Sequence, residues 1–179
     1  MIELLKQQEG APEAYPEVAG LSAKAEALDA AAIWQRIEQW IAYRWGERPV
    51  TWTVRGRGEW LPPLDPFTIE NVEQYGGLTW DTAGWRSAEL VPSPMGLELT
   101  GGTYRIQATV GSPDDPPAVV LQAFTRLAEY LAEGDARAFS GYSRTLGDAS
   151  ENIERPVVWQ ARAIHYSGAA DLLRPWHTV

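Results

Sequence analysis

Isoleucines at 33, 37 and 41 recur every four residues, and Trp34, Trp40 and Trp45 widen the same stripe. That spacing predicts an amphipathic helix over 22–45. Ser22 is placed to cap its start, Gly46 suits the left-handed residue past its end, and Pro49 forbids continuation. The pattern then changes period. Residues 49–55, Pro-Val-Thr-Trp-Thr-Val-Arg, are β-branched and aromatic and predict a strand. Gly56-Arg-Gly58 predicts a turn, with Glu59-Trp60-Leu61 as a short returning strand that Pro62-Pro63 ends. Residues 67–74 alternate apolar and polar, as a half-buried strand does, up to Gly76-Gly77.

Two more runs, 95–99 and 103–110, flank Thr100-Gly101-Gly102 and predict a hairpin. After a Pro- and Asp-rich loop, with Asp114 or Asp115 as a cap, Val120, Phe124, Leu127 and Leu131 fall on one face of a helix over 116–133. Residues 134–154 have little periodicity and read as a loop or short helical pieces. A further helix is expected over 156–167, interrupted by Gly168. Residues 1–20, broken by Gly10, Pro12, Pro16 and Gly20, read as an extended arm. The expected fold is therefore α+β and mainly helical. It is a small bundle of three to four helices carrying an inserted antiparallel β region at about 48–110, with extended arms at both ends. The division expected is an arm at 1–20, one domain at 21–167 and a tail at 168–179.

Composition narrows the function classes. The chain has 179 residues, no cysteine and a net charge of −9. Disulfides, cysteine zinc sites and thiol catalysis are excluded. Lys and Arg do not cluster, so tight binding of nucleic acid is not expected. No leader peptide or membrane-spanning run is seen, which predicts a soluble protein made in a cytoplasm. The two histidines, His165 and His177, have no carboxylate three or four residues away. No phosphate-loop pattern occurs, and Asp114-Asp115 is an adjacency rather than an opposed pair. No enzyme, metal or cofactor is expected.

Nine tryptophans exceed what one core of this size comfortably buries. Trp52, Trp60, Trp80, Trp85 and Trp159 are the candidates for a subunit interface, where aromatics are enriched. The competing reading is a carbohydrate- or ligand-binding module in which Trp52, Trp60, Trp80 and Trp85 stack on sugars. The carboxyl-terminal run Leu172-Leu173-Arg174-Pro175-Trp176 is apolar where chain ends are usually polar, and it predicts a segment seated in a groove of its own subunit or of a partner.

Four stretches together resemble one family. They are the Trp/Ile helix running through Trp45-Gly46-Glu-Arg-Pro into Val50-Thr-Trp-Thr-Val, the strand Phe67-Thr-Ile-Glu-Asn-Val, the run Tyr104 to Gly111 followed by Pro116-Pro117 and the helix to Leu131, and the end Gly168-Ala-Ala-Asp-Leu-Leu-Arg-Pro-Trp176. The last two are the most specific. The pattern is similar to the head–tail connectors (adaptors) of long-tailed phages and gene transfer agents, the HK97-type connector family. It departs from that family in a longer 134–154 segment and in Trp176, where a tyrosine is common. The resemblance implies a structural ring, commonly of twelve copies, beneath the portal protein at the capsid vertex. Such a ring extends the DNA channel and offers a docking surface to a tail-side neck protein, a stopper or terminator. It implies that Leu172, Leu173, Arg174, Pro175 and Trp176 reach toward the portal. It also implies location in the virion neck, DNA that passes without being held, and no membrane.

Overall fold

The computed structural model describes residues 1–77, 82–94, 96–135, 142–146, 149–153 and 162–177. The chain forms two compact units. One comprises Met1–Ala14 with Ala42–Asp115; the other comprises Tyr15–Ile41 with Pro116–Val179.

The first unit is built of strands. Strand β1 (Ile2–Glu9) pairs with β2 (Arg48–Gly56); β3 is Gly58–Trp60, β4 Phe67–Gly76, β5 Gly84–Ser87, β6 Val91–Pro92, β7 Leu97–Leu99 and β8 Thr103–Val110. A five-stranded antiparallel sheet runs in the order β1-β2-β8-β4-β5, and a three-stranded sheet in the order β3-β7-β6. Alternation explains the central strands. Val50, Trp52 and Val54 of β2 and Tyr104, Ile106, Ala108 and Val110 of β8 are buried on one face, while the residues between them are wetter. Trp60, Leu97 and Leu99 of the smaller sheet complete this core. Each fully enclosed aliphatic chain contributes about 1.5–3 kcal/mol of transfer free energy.

The expected hairpin at 95–110 is not formed. β7 and β8 belong to different sheets, and β8 is the centre of the larger one. Gly101 and Gly102 have φ of +125° and +113°, which lets the chain leave one sheet and enter the other. The step is fastened by the Tyr104 hydroxyl and the Gln74 amide, which donate to the Gly101 carbonyl at 2.8 and 2.7 Å. Likewise Gly56-Arg-Gly58 sends the chain out of β2 into the smaller sheet, so β3 does not return along β2.

The second unit holds the helices. α1 (Ala23–Glu26) and α2 (Ala30–Glu38) stand where one helix over 22–45 is expected. Ser22 does cap the start, accepting from the Ala25 N–H. Asp29 caps a second start, accepting from Ala31, so the Ala-rich run is split. α2 ends near Glu38, and Trp45 lies in the other unit, bridged to Ser112. α3 spans Ala118–Asp135. Its Phe124 ring lies 4.9 Å from that of Trp34, among buried Ile33, Ile37, Val120 and Leu127. The Glu129 carboxylate on α3 accepts from both the backbone N–H and the hydroxyl of Ser22, each at 2.7 Å. Those bonds, the backbone one first, hold its pKa below the ordinary value. A short antiparallel pair, β9 (Tyr142–Leu146) and β10 (Ala149–Ile153), occupies the stretch read as a loop or helical pieces. Of the helix expected at 156–167, α4 (Ala163–Tyr166) is present; 154–161 lie outside the described residues.

The expectation of a mainly helical bundle is therefore corrected. Among the described residues strand outweighs helix, and a five-stranded and a three-stranded sheet stand where a bundle is expected. The helical reading overextended the first helix. It also missed strands such as β1, whose Ile-Glu-Leu-Leu-Lys-Gln-Gln-Glu has no alternation and takes its conformation from pairing with β2.

Candidate functional site

In the second unit the carboxyl-terminal run is a folded element rather than an extended arm. α5 spans Ala169–Leu172, and a 3-10 turn spans Arg174–Trp176. Gly168, with φ +75°, makes the reversal between α4 and α5 that a side chain would strain. Ala169 and Leu173, four residues apart on one side of this turn, are both 0% exposed, and α5 packs on α3. Leu172 and Trp176 are half-buried, while Arg174 and Pro175 face solvent. The Arg174 guanidinium donates to the Asp171 carboxylate at 2.7 Å, and both side chains are more than two-thirds exposed. An ion pair this wet contributes little to stability. So Leu173 is committed to its own unit, and the surface of the run is Arg174, Pro175 and the outer parts of Leu172 and Trp176.

Beside this run the two histidines meet one indole. The His165 and His177 rings stand edge-on to Trp40 at 4.6 and 4.5 Å. They border an open hollow of about 310 Å³ that Asp171 and Arg174 also line. Spacing along the chain gave no hint of this, because Trp40 is more than a hundred residues from either histidine.

In the first unit the tryptophans divide by strand position. Trp52 and Trp60 are 0% and 6% exposed, packed edge to face with centroids 5.4 Å apart. The Trp52 indole N–H donates to the Gln7 side-chain oxygen at 3.0 Å. Both rings are core, which removes them from any solvent-facing surface for sugar or subunit. Trp80 and Trp159 lie outside the described residues. Trp85, on β5, is half-buried on the face of the larger sheet opposite its core. It meets the Tyr75 ring at 5.4 Å, and the Arg105 guanidinium lies over it at 4.6 Å. Arg105 also donates to Glu73 at 2.6 Å, directly across from it on β4. Tyr75, Trp85 and Arg105 are the residue types that dominate binding energy at interfaces. The alternation of β4 and β8 carried the signal for Glu73 opposite Arg105; only the strand pairing was missing.

The hydrogen bond from Arg105 holds the Glu73 carboxyl below its ordinary pKa. A lowered carboxyl pKa stabilises the fold above the unfolded value, and the contribution is lost as pH falls through the folded value. Wild type should therefore exceed Glu73→Gln in urea midpoint near neutral pH, and the gap should close on acidification. A gap that stays constant down to pH values where carboxylates are protonated would contradict this.

A third surface is the free side of β1. Residues Glu3 to Gln8 are exposed, with Leu4 and Leu5 at 44% and 38%. At its end Glu9 accepts from Arg44 Nε at 2.7 Å and from Arg48 Nη1 at 3.3 Å. Those guanidinium-bearing residues are 7% and 3% exposed, and Arg48 also donates to the Trp45 and Gly46 carbonyls. Among the described residues no group of three or more acidic or histidine side chains is arranged to hold a metal ion. Compared with family models, curated proteins and solved structures, the chain matches none.

Proposed function

We propose that this chain is a head–tail connector subunit, a structural component of a ring at the capsid vertex of a tailed phage or gene transfer agent. One observation carries the reading. The two stretches that most specifically resemble that family, the helix after Pro116-Pro117 and the end Gly168 to Trp176, pack on each other as α3 and α5 of a single unit. Family likeness and tertiary contact thus fall on the same residues.

The physical character of the chain supports the same role. A closed ring needs two different complementary patches on each subunit. The Tyr75–Trp85–Arg105 cluster and the exposed side of β1 are two different surfaces of one sheet that could serve as them. A charge of −9 on every copy lets DNA pass along a channel without being gripped. Portal contact falls to Arg174, Pro175 and Trp176, held in place by Leu173 beneath them. The tail-side neck protein meets the opposite rim. The subunit carries out no chemical step.

Light scattering tests this directly. The purified chain, alone and with the portal protein of the same particle, is expected to give a ring-sized species or a stable portal complex. A monomer that ignores the portal at every concentration overturns the proposal.

A further inference from the structure

The hollow beside the carboxyl-terminal run gathers hydrogen-bond donors with little to donate to. Trp40 just past α2, His165 on α4, Gly168, and then Asp171, Arg174 and His177 of the run border about 310 Å³ of open space, all within the second unit. The Trp40 indole N–H is buried and meets no acceptor among the described residues. Buried donors in that state are exceptions in folded proteins. His165 and His177 stand edge-on to this indole, and neither imidazole has a hydrogen-bond partner among the described residues. Gly168 brings in a further donor. A Cβ at that position would lie 3.3 Å from Arg126 Nη1 of α3, and the exposed Arg126 has no ion pair among the described residues. One carboxylate is at hand: Asp171 accepts from Arg174 at 2.7 Å, which shows what this rim recognises.

The local balance is the reverse of the chain's. Over the whole sequence 24 acidic residues outnumber 15 basic ones. Around the hollow, two guanidiniums and two imidazoles meet a single carboxylate. An anion is therefore drawn to this place on a chain that repels anions elsewhere. Two features choose among anions. Asp171 stays beside the site and opposes a phosphate dianion more strongly than a singly charged carboxylate. The hollow is also open, with the Trp40 ring and Gly168 in its wall, whereas a free small molecule is held by enclosing most of its surface. An acidic side chain carried on a peptide fits both features. Its methylenes lie on the apolar wall, and its carboxylate accepts charge-assisted bonds from the guanidiniums.

We propose that this hollow binds an acidic peptide segment of a partner protein, whose aspartate or glutamate side chains take the Arg174 and Arg126 guanidiniums and the N–H groups of His165 and His177. Asp171 is the built-in competitor, and the incoming carboxylate shares or replaces its hold on Arg174. The site rests on these residues alone; that the segment belongs to the portal protein rests on the connector reading.

The chain has two histidines, so its imidazole C–H proton resonances are assigned with His165→Gln and His177→Gln alone. The full chain is titrated with a blocked tetraglutamate peptide and, separately, with tetraglutamine and inorganic phosphate. Tetraglutamate is expected to shift both histidine resonances to saturation, and tetraglutamine to leave them in place. Arg174→Ala and Arg126→Ala should each weaken tetraglutamate binding by about two- to five-fold, the range of an exposed charge pair. Asp171→Asn should strengthen it by a similar factor. All three side chains are exposed, so the variants should keep the wild-type denaturation midpoint. The gain in Asp171→Asn is the decisive readout, because a loosened fold weakens binding. The inference is overturned if tetraglutamate leaves the histidines unmoved, if tetraglutamine moves them equally, if phosphate binds more tightly than tetraglutamate, or if Asp171→Asn fails to strengthen binding. Light scattering with the portal separates the two readings. A ring or portal complex whose histidines ignore tetraglutamate retires the site alone. A responsive site on a chain that neither forms a ring nor meets the portal retires the connector alone.

Discussion

Replacing Trp52 by alanine is expected to lower the stability of the β unit by about 3–5 kcal/mol, the usual cost of deleting a buried aromatic ring. The indole is wholly enclosed between Val50 and Val54 on β2, beside Trp60 and opposite Ile106. Alanine would leave a cavity at the centre of the larger sheet, and the Gln7 side chain would lose the donor it accepts from. Chemical denaturation followed by far-ultraviolet circular dichroism measures the loss; fluorescence is less suitable in a chain with nine tryptophans. Trp52→Phe should recover part of the loss, because it keeps a ring against Trp60 and lacks only the indole N–H and some volume. A midpoint for Trp52→Ala within experimental error of wild type would mean that Trp52 is not a core residue. Trp85→Ala makes the contrast. Its ring is half-exposed, so stability should change little, and if this face joins subunits, as the proposed ring role requires, self-association should weaken.

That contrast marks what a sequence makes legible here. Trp52 shares strand parity with Val50 and Val54, and Tyr104 shares it with Ile106, Ala108 and Val110, so the buried face of each strand can be read locally. The Ser22 cap and the apolar face of α3 are legible for the same reason, since their signals lie within a few residues. Sheet membership is different. The Thr100-Gly101-Gly102 stretch has the composition of a hairpin, yet its glycines carry the chain between two sheets. Nothing within ten residues distinguishes those outcomes, because the partners of β8 are β2 and β4, tens of residues away. The same non-locality hid β1, which is a strand only because β2 lies beside it, and the Glu9 clamp, whose arginines are 35 and 39 residues further on. The surface cluster of Glu73, Tyr75, Trp85 and Arg105 spans three strands, so it appears only when they are placed side by side.

Leu173 decides how the carboxyl-terminal run works. Leu173→Ala is expected to cost the helical unit about 2–5 kcal/mol, as for other enclosed leucines. Its side chain is 0% exposed, as is Ala169 one turn earlier, and the turn they share packs on α3. A segment that docked only as a loose peptide would tolerate the change, because an extended run in solvent has no cavity to open. Truncation after Gly168 would remove both buried groups together, so lost portal binding in that variant would report unfolding as readily as a missing contact. Arg174→Ala and Pro175→Ser avoid the difficulty. Both side chains face solvent, and the Arg174–Asp171 pair is too wet to matter much, so stability should move by no more than about 0.5 kcal/mol. If these residues meet the portal, the two variants should weaken its binding at unchanged denaturation midpoint, while Leu173→Ala should lower both together. Unaltered portal binding by the Arg174 and Pro175 variants would place the contact elsewhere on the subunit, and a midpoint for Leu173→Ala equal to that of wild type would mean the run is not part of the folded unit.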